Sequence, residues 1–322
     1  MICLGIESTA HTFGVGIVTN EGKILANEKD SYTTTHGGIH PSAAKEHHLK
    51  VADQVINSAL AKAGLQEHQI GLVSFSQGPG LAPCLVVGLE KATDFCRRNK
   101  ISLVGVNHCI SHLEIGRLVT PAKDPVLLYV SGANTQVIAY EGGKYRIFGE
   151  TLDNGVGNFL DAFGRELGIG FPGGPKIAEL ASKGKQYIEL PYVVKGMDIS
   201  VGGILTNLKQ KIGKFSNEDL AYSAQETVFA MLVEVAERAM AHCEKKELLL
   251  GGGVACNKRL QEMCRKMCLE RGAKCFVPEN QFLVDNGVQI AWQGILQQKE
   301  ATGNKLDIKP YQRTDDVEVN WR

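Results

Sequence analysis

The chain has 322 residues, 43% of them hydrophobic and 22% charged, which suffices for one large domain or two of ordinary size around a substantial core. Lys+Arg and Asp+Glu number 35 each, so no global basic field advertises nucleic acid, and an RNA substrate requires a local patch or a basic partner. No apolar run approaches the roughly 18 residues of a membrane span, and the first strand starts without a basic leader, so a cytoplasmic protein that does not enter membranes is expected.

In chain order, Ile2-Cys3-Leu4-Gly5-Ile6 reads as an apolar strand that enters a turn of small and hydroxyl residues at Glu7-Ser8-Thr9. Phe13–Val18 is a second strand, and a third follows near Lys23–Asn27. Apolar residues at Val51, Val55, Ala59 and Ala63 predict a helix from Ala43 to Ala63, closed by Gly64 as its C-terminal cap. The hairpin order then returns: Val126–Ala133, a small-residue turn, Thr135–Tyr140, and a strand at Lys144–Phe148. This repeat divides the chain near Ala122-Lys123-Asp124-Pro125 into related halves, 1–125 and 126–322, with the C-terminal tail a candidate to return to the first half. Pro175 and Gly184 bracket a helix over Lys176–Lys183. Ser216-Asn217-Glu218-Asp219 resembles a capping box before a long helix through Val228, Leu232, Val235 and Ala239. Leu248–Leu250 is a short buried strand, and Asn257 caps a helix ending at Gly272. Strands mixed with helices throughout define an α/β protein with helix-covered sheets.

Asn107-His108-Cys109-Ile110-Ser111-His112 places two imidazoles four residues apart, on one face of a helix. They are either metal ligands or polar residues at a helix start, and a metal needs a third ligand. Asp285, in Phe282-Leu283-Val284-Asp285-Asn286-Gly287, is a carboxylate candidate; it can also serve as a helix N-cap, and the roles are compatible. Two imidazoles and a carboxylate suit Fe(II) or Zn(II). A zinc peptidase needs Glu directly after the first His, where this chain has Cys109. The nine scattered cysteines contain no Cys-x-x-Cys pair; Cys264 and Cys268 share a helix face, but no second thiol pair completes a zinc-finger spacing. They read as buried thiols of a reducing compartment.

Glycine-rich or small-residue turns follow strands at Gly5–Thr9, Ser131–Asn134 and Gly251–Asn257, and Phe171-Pro172-Gly173-Gly174-Pro175 adds a fourth sharp turn. Such turns let backbone amides approach phosphate, and the helix after Asn257 offers free amides and the positive end of its dipole. Neither a Walker A sequence nor a Gly-x-Gly-x-x-Gly fingerprint is present. Four turns beside an internal repeat favour a nucleotide cleft between two halves. Asp161 belongs to a helical stretch, where it either accepts hydrogen bonds from a ribose or the turn at Gly174, or lies on a solvated face.

Taken together, Gly5–Thr12, Gly37–Pro41, Phe75–Gly80, Asn107–His112, Tyr129–Gln136, Phe171–Pro175 and Gly251–Asn257 resemble the archaeal and eukaryotic catalytic-subunit family of tRNA threonylcarbamoyladenosine synthesis, part of the KEOPS complex and once labelled a glycoprotease family. The likeness runs from Ile2 to about Val319. It implies the actin-like ATPase fold, two duplicated ribonuclease-H-like halves flanking a nucleotide cleft. It implies transfer of threonylcarbamoyl from threonylcarbamoyl-AMP to the exocyclic amine of the tRNA adenosine 3′-adjacent to the anticodon, the alternative being a non-catalytic ATP-binding scaffold for a kinase. By resemblance His108, His112, Tyr129 and Asp285 hold one divalent metal, Fe(II) before Zn(II). Tyr129, Val130, Ser131, Gly132 and Ala133 would meet the phosphate or acyl end of ATP or threonylcarbamoyl-AMP, and Asp161, Gly174 and Asn257 the nucleoside. Implied partners are tRNA, a small protein kinase that is sometimes fused after the C-terminus, and a small dimerising protein. The sequence departs from the family where Ala178 replaces a Glu, with Glu179 one residue late, where a Ser-Phe-Ser-Gly run becomes Ser200-Val201-Gly202-Gly203 and loses a hydroxyl, and where Ala133 replaces a glycine and Lys258 an asparagine. Lys209/Lys211/Lys214 and Lys258/Arg259/Arg265/Lys266 are candidate basic patches or ordinary solvated helix faces.

Overall fold

The structure, a computed structural model, describes residues 1–35, 37–301 and 306–322. Its first sheet consists of β1 (Ile2–Glu7), β2 (Thr12–Thr19), β3 (Ile24–Ser31), β4 (Leu72–Gly78) and β5 (Leu103–Asn107), in the order β3-β2-β1-β4-β5. The helices α1 (Pro41–Ala63) and α2 (Ala82–Asn99) make its crossovers, and α3 (His108–Val119) leaves directly from β5. The second sheet starts with β6 (Val126–Val130), β7 (Thr135–Glu141) and β8 (Lys144–Glu150). There follow α4 (Val156–Glu166), α5 (Gly174–Ala181), the two-residue strands β9 (Val194–Lys195) and β10 (Asp198–Ile199), α6 (Gly202–Lys211) and α7 (Asn217–His242). Then β11 (Glu247–Gly251), α8 (Lys258–Glu270) and β12 (Lys274–Phe276) complete the order β12-β11-β6-β7-β8.

The two sheets share strand order and direction. In each, the opening three strands form an antiparallel meander, and two later strands add in parallel beside the first of them. The repeat visible in the hairpins therefore extends to all five strands. Parallel interior strands are covered on both faces, which is why β4 is buried along its whole length. Helix starts moved slightly: Pro41 at the first turn opens α1 two residues before Ala43, and α5 begins at Gly174 and ends at Ala181, two residues ahead of the bracket drawn from Pro175 and Gly184. Asp161 supplies the reason, because its Oδ1 accepts from the Gly173 amide at 2.7 Å and fixes the turn from which α5 departs.

Between the sheets lies a helical layer formed by α3, α9 (Asn280–Leu283) and α10 (Gly287–Leu296). One side of α3 packs Cys109, Ile110 and Leu113 against Leu127, Tyr129 and Leu249 of the second sheet. Its other side joins Ile115 to Val104, Val106, Val288 and Ile290. Residues 108–116 are all buried, as a helix enclosed on every side requires. The start of α10 lies directly on β2: a Cβ at Gly16 would stand 2.1 Å from the Val288 amide nitrogen, and one at Gly287 the same distance from the Gly16 nitrogen. The tail then crosses from the first sheet to the second. Lys309 N donates to Gln77 O at 2.7 Å, Thr314 Oγ1 donates to Gln136 Oε1 at 3.1 Å, and Trp321 Nε1 donates to Glu114 on α3 at 2.9 Å. No helix among the described residues is long and apolar enough to cross a membrane.

His48 on α1 is fully buried, its ring edge-on to Phe13 at 5.5 Å. Burial first, then the neighbouring His47 and His11, push its pKa down to about 4. The unfolded chain takes up this proton near pH 6.5 and the folded protein refuses it until about 4, so stability declines as pH falls across that window, by roughly 3 kcal/mol. Replacing His48 by Phe is expected to flatten this part of the pH profile of the urea midpoint. An unchanged slope between pH 6.5 and 4 would count against it.

Candidate metal centre

The C-terminal ends of β1, β5 and β6 and the loop before α10 meet at one point. Asn107, the last residue of β5, caps α3 by accepting from the amides of Cys109 and Ile110 at 3.0 and 3.1 Å. That cap starts the helix at His108, so His108 and His112 lie one turn apart, their rings edge-to-face at 4.8 Å. The Nε2 atoms of both imidazoles stand 3.4 Å from Asp285 Oδ1. Among the described residues these three form the group of His, Cys, Asp or Glu side chains able to share an ion, their ligand atoms within 4.8 Å of one another. Cys264 and Cys268 take no part. Two donors bound about 2.0–2.1 Å from a tetrahedral ion stand roughly 3.4 Å apart, which both imidazole–carboxylate separations match.

The charges of the three side chains influence one another strongly. Burial opposes ionisation of Asp285, but hydrogen bonds and charge from His108 and then His112 hold its carboxyl well below the usual range. Burial likewise opposes protonation of His108, yet the Glu7 and Asp285 carboxylates overcome it and raise its pKa well above the ordinary value. In His112 burial prevails and the pKa falls. Its Nδ1 is buried without a hydrogen-bond partner. The helix-capping role considered for Asp285 falls instead to Asn286, whose side chain accepts from the Gln289 amide at 3.0 Å. Asp285 is thereby left free to face the imidazoles.

Tyr129, one residue before the end of β6, is buried with its ring 4.9 Å from that of His112 and 6.3 Å from that of His108. Burial raises its phenol well above the normal pKa. Val130 points into the core of the second sheet. In the following turn the Ser131 amide donates to Asn134 O at 2.8 Å, and the carbonyls of Ser131 and Gly132 accept from the Gly157 and Asn158 amides at the start of α4. Thus the Ser131 amide expected to meet phosphate is engaged within the turn, whereas Gly132 and Ala133 are exposed. Gly252, with φ of +89°, packs against this turn so closely that a Cβ would stand 2.3 Å from Val130 O.

Asp161, of the alternatives weighed, faces the turn at Gly173 and Gly174, and burial raises its pKa against the pull of those two amides. Asn257 caps α8 through Arg259 N at 2.8 Å and donates to Gln225 Oε1 at 2.8 Å. Glu179, one position from the family's Glu, pairs with Lys183 at 2.8 Å on the surface. The basic patches are partly neutralised, Lys209 by Glu166 and Arg259 by Glu226 and Glu262. Glu7 carries a larger part in the site than its strand-end position announced: its carboxylate lies 2.9 Å from His108 Nδ1.

Comparison with solved structures defines the fold class. The chain superposes on Thermococcus kodakarensis HypF with a TM-score of 0.66 at 16% identity, over 93% of this chain and 48% of that one. On the Acidaminococcus fermentans (R)-2-hydroxyglutaryl-CoA dehydratase component A the TM-score is 0.60 at 13% identity, over 93% and 99%. It has the actin-like ATPase fold. A family model described as tRNA N6-adenosine threonylcarbamoyltransferase matches residues 23–292. A Thermococcus kodakarensis protein of that name is 54% identical over the full length of both chains. A Methanosarcina mazei protein named as a probable bifunctional tRNA threonylcarbamoyladenosine biosynthesis protein is 52% identical over 99% of this chain and 59% of its own length. The chain belongs to the tRNA N6-adenosine threonylcarbamoyltransferase family.

Proposed function

We propose that this protein transfers a threonylcarbamoyl group from threonylcarbamoyl-AMP to the exocyclic amine of the tRNA adenosine 3′-adjacent to the anticodon, using one divalent cation held by His108, His112 and Asp285 with Tyr129 as a further ligand. It is a transferase of tRNA threonylcarbamoyladenosine synthesis. The observation carrying the metal-dependent reading is the convergence of two Nε2 atoms on one carboxylate oxygen at 3.4 Å each. The donor set of nitrogen and oxygen suits Fe(II), with Zn(II) as alternative.

When bound, the cation supplies Lewis-acid polarisation of the acyl group and neutralises the departing phosphate. The chain's own residues do the rest. The amides of Gly132 and Ala133, two exposed residues, stabilise negative charge developing on the acyl or phosphate oxygens. Asp161 holds the Gly173-Gly174 turn against the nucleoside side of the cleft, and Asn257 retains one amide hydrogen beyond its bond to Gln225. An adenine amine is a weak nucleophile, so the cleft between halves 1–125 and 126–322 must supply much of the rate by positioning.

The protein works in the cytoplasm as part of KEOPS, with tRNA, a small protein kinase and a small dimerising protein as partners. Relatives named as bifunctional, about 60% of whose length this chain covers, support a partner domain joined to this one. Near-neutral charge fits tRNA affinity that is shared with partners.

The test supplies threonylcarbamoyl-AMP carrying labelled threonine, unmodified tRNA with U before the target adenosine, and the partner subunits. Label in the adenosine next to the anticodon is the expected result. No label despite tight ATP binding would replace this reading with a nucleotide-binding scaffold that regulates the kinase.

A further inference from the structure

Glu7 ends β1 and is fully buried. Its Oε1 accepts from the Thr9 amide at 2.7 Å and from the Thr9 hydroxyl, so the strand-end turn fixes the carboxylate in place. Its Oε2 lies 2.9 Å from His108 Nδ1. From α10, on the opposite side, Gln289 brings its amide Nε2 to 3.4 Å from the same ring nitrogen. The carbonyl end of that amide accepts from Asn286 Nδ2 at 3.0 Å, so the donor end faces His108.

These neighbours make opposite demands on the ring. A carboxylate can only accept, so it requires a proton on Nδ1; an amide NH2 can only donate, so it requires Nδ1 bare. Hydrogen bonds to an ionised acceptor are shorter and roughly twice as strong as neutral ones, and Glu7 is the closer partner by 0.5 Å. With the proton on Nδ1, Nε2 is the nitrogen left to share a cation with Asp285 Oδ1, 3.4 Å away. In the opposite tautomer Nε2 carries the hydrogen and cannot bind a cation.

We propose that Glu7 is the positioning residue of the metal centre: it holds His108 in the tautomer that presents Nε2 to a divalent cation, against Gln289, which would impose the other tautomer. This rests on the reading of His108, His112 and Asp285 as metal ligands. His112 has no comparable partner at Nδ1, so the orienting function belongs to one of the two imidazoles. The link also ties the end of β1 to α3 across 101 residues of sequence.

Two variants decide it. Glu7→Gln keeps the shape and the bonds to Thr9 but turns an amide donor toward Nδ1. Glu7→Gln/Gln289→Glu restores a carboxylate acceptor from the α10 side and conserves net charge. Both, with the wild type, are titrated with Co(II), followed by the visible absorption of the bound ion, and with Zn(II) against a chromophoric chelator; thermal unfolding verifies the fold. The single variant is expected to bind both ions about 10–100-fold more weakly, the usual effect of removing a partner of a ligating imidazole, and the exchanged pair to regain most of the loss. Wild-type affinity in a folded Glu7→Gln overturns the proposal, as does a folded exchanged pair with no recovery; should the exchanged pair not fold, Glu7→Gln alone decides. A wild type that binds neither ion overturns the metal-ligand reading itself, and this proposal with it.

Discussion

Asp285→Asn is expected to empty the metal centre and to lower tRNA threonylcarbamoylation by on the order of a thousandfold, with the protein still folded. Asparagine preserves the volume of the side chain but removes the charge that both imidazoles face at 3.4 Å. It also removes the only carboxylate of the three-residue group. A cation contributes several kcal/mol of charge stabilisation in a transition state, and each 1.36 kcal/mol is tenfold in rate. Metal content per chain and nucleoside analysis of the tRNA measure the two effects together. Modification that persists at the wild-type rate in a metal-free Asp285→Asn protein would remove Asp285 from the mechanism.

The largest expected loss of stability comes from Gly287→Val. A Cβ there would stand 2.1 Å from Gly16 N and 2.3 Å from Val15 C, both backbone atoms that no rotamer change can move. Either α10 lifts from β2 or the sheet bends, and overpacking of this kind costs about 3 kcal/mol or more. Lifting α10 also displaces Asp285, two residues earlier, so metal affinity falls with stability. Gly203→Ala is the control: its Cβ meets nothing within 4 Å inside α6, and helix propensity makes it neutral or slightly stabilising. Urea unfolding compares the two. A Gly287→Val protein as stable as the control would show that the contact between α10 and β2 is not what holds the central layer.

What the sequence announced, and what it concealed, follows from the range of the interactions. The two hairpins and their repetition were legible because strand periodicity and small-residue turns are local; from them the matched five-stranded sheets follow. His108 and His112 were legible because helical spacing alone puts them together. Asp285 was found as a carboxylate, but its neighbour Asn286 takes the cap, a choice between adjacent residues that depends on backbone geometry. The bond from Glu7 to His108 was concealed, since the two lie 101 residues apart. Its signal was a carboxylate at the last position of a buried strand, where it needs a partner to be tolerated. The Ser131 amide looked available because turn chemistry does not reveal which amides the turn itself consumes. Trp321 and Glu114 belong to the same class of long-range contact, as their bond joins the tail to α3, the helix that carries His108 and His112.

The most direct test of the account is threonylcarbamoyl transfer by the partner-complete wild-type protein, stripped by chelator and then reloaded with one equivalent of Fe(II) or Zn(II). Formation of threonylcarbamoyladenosine should vanish with the metal and return on reloading. Equal formation by the stripped protein would contradict a metal-dependent transferase built on His108, His112 and Asp285.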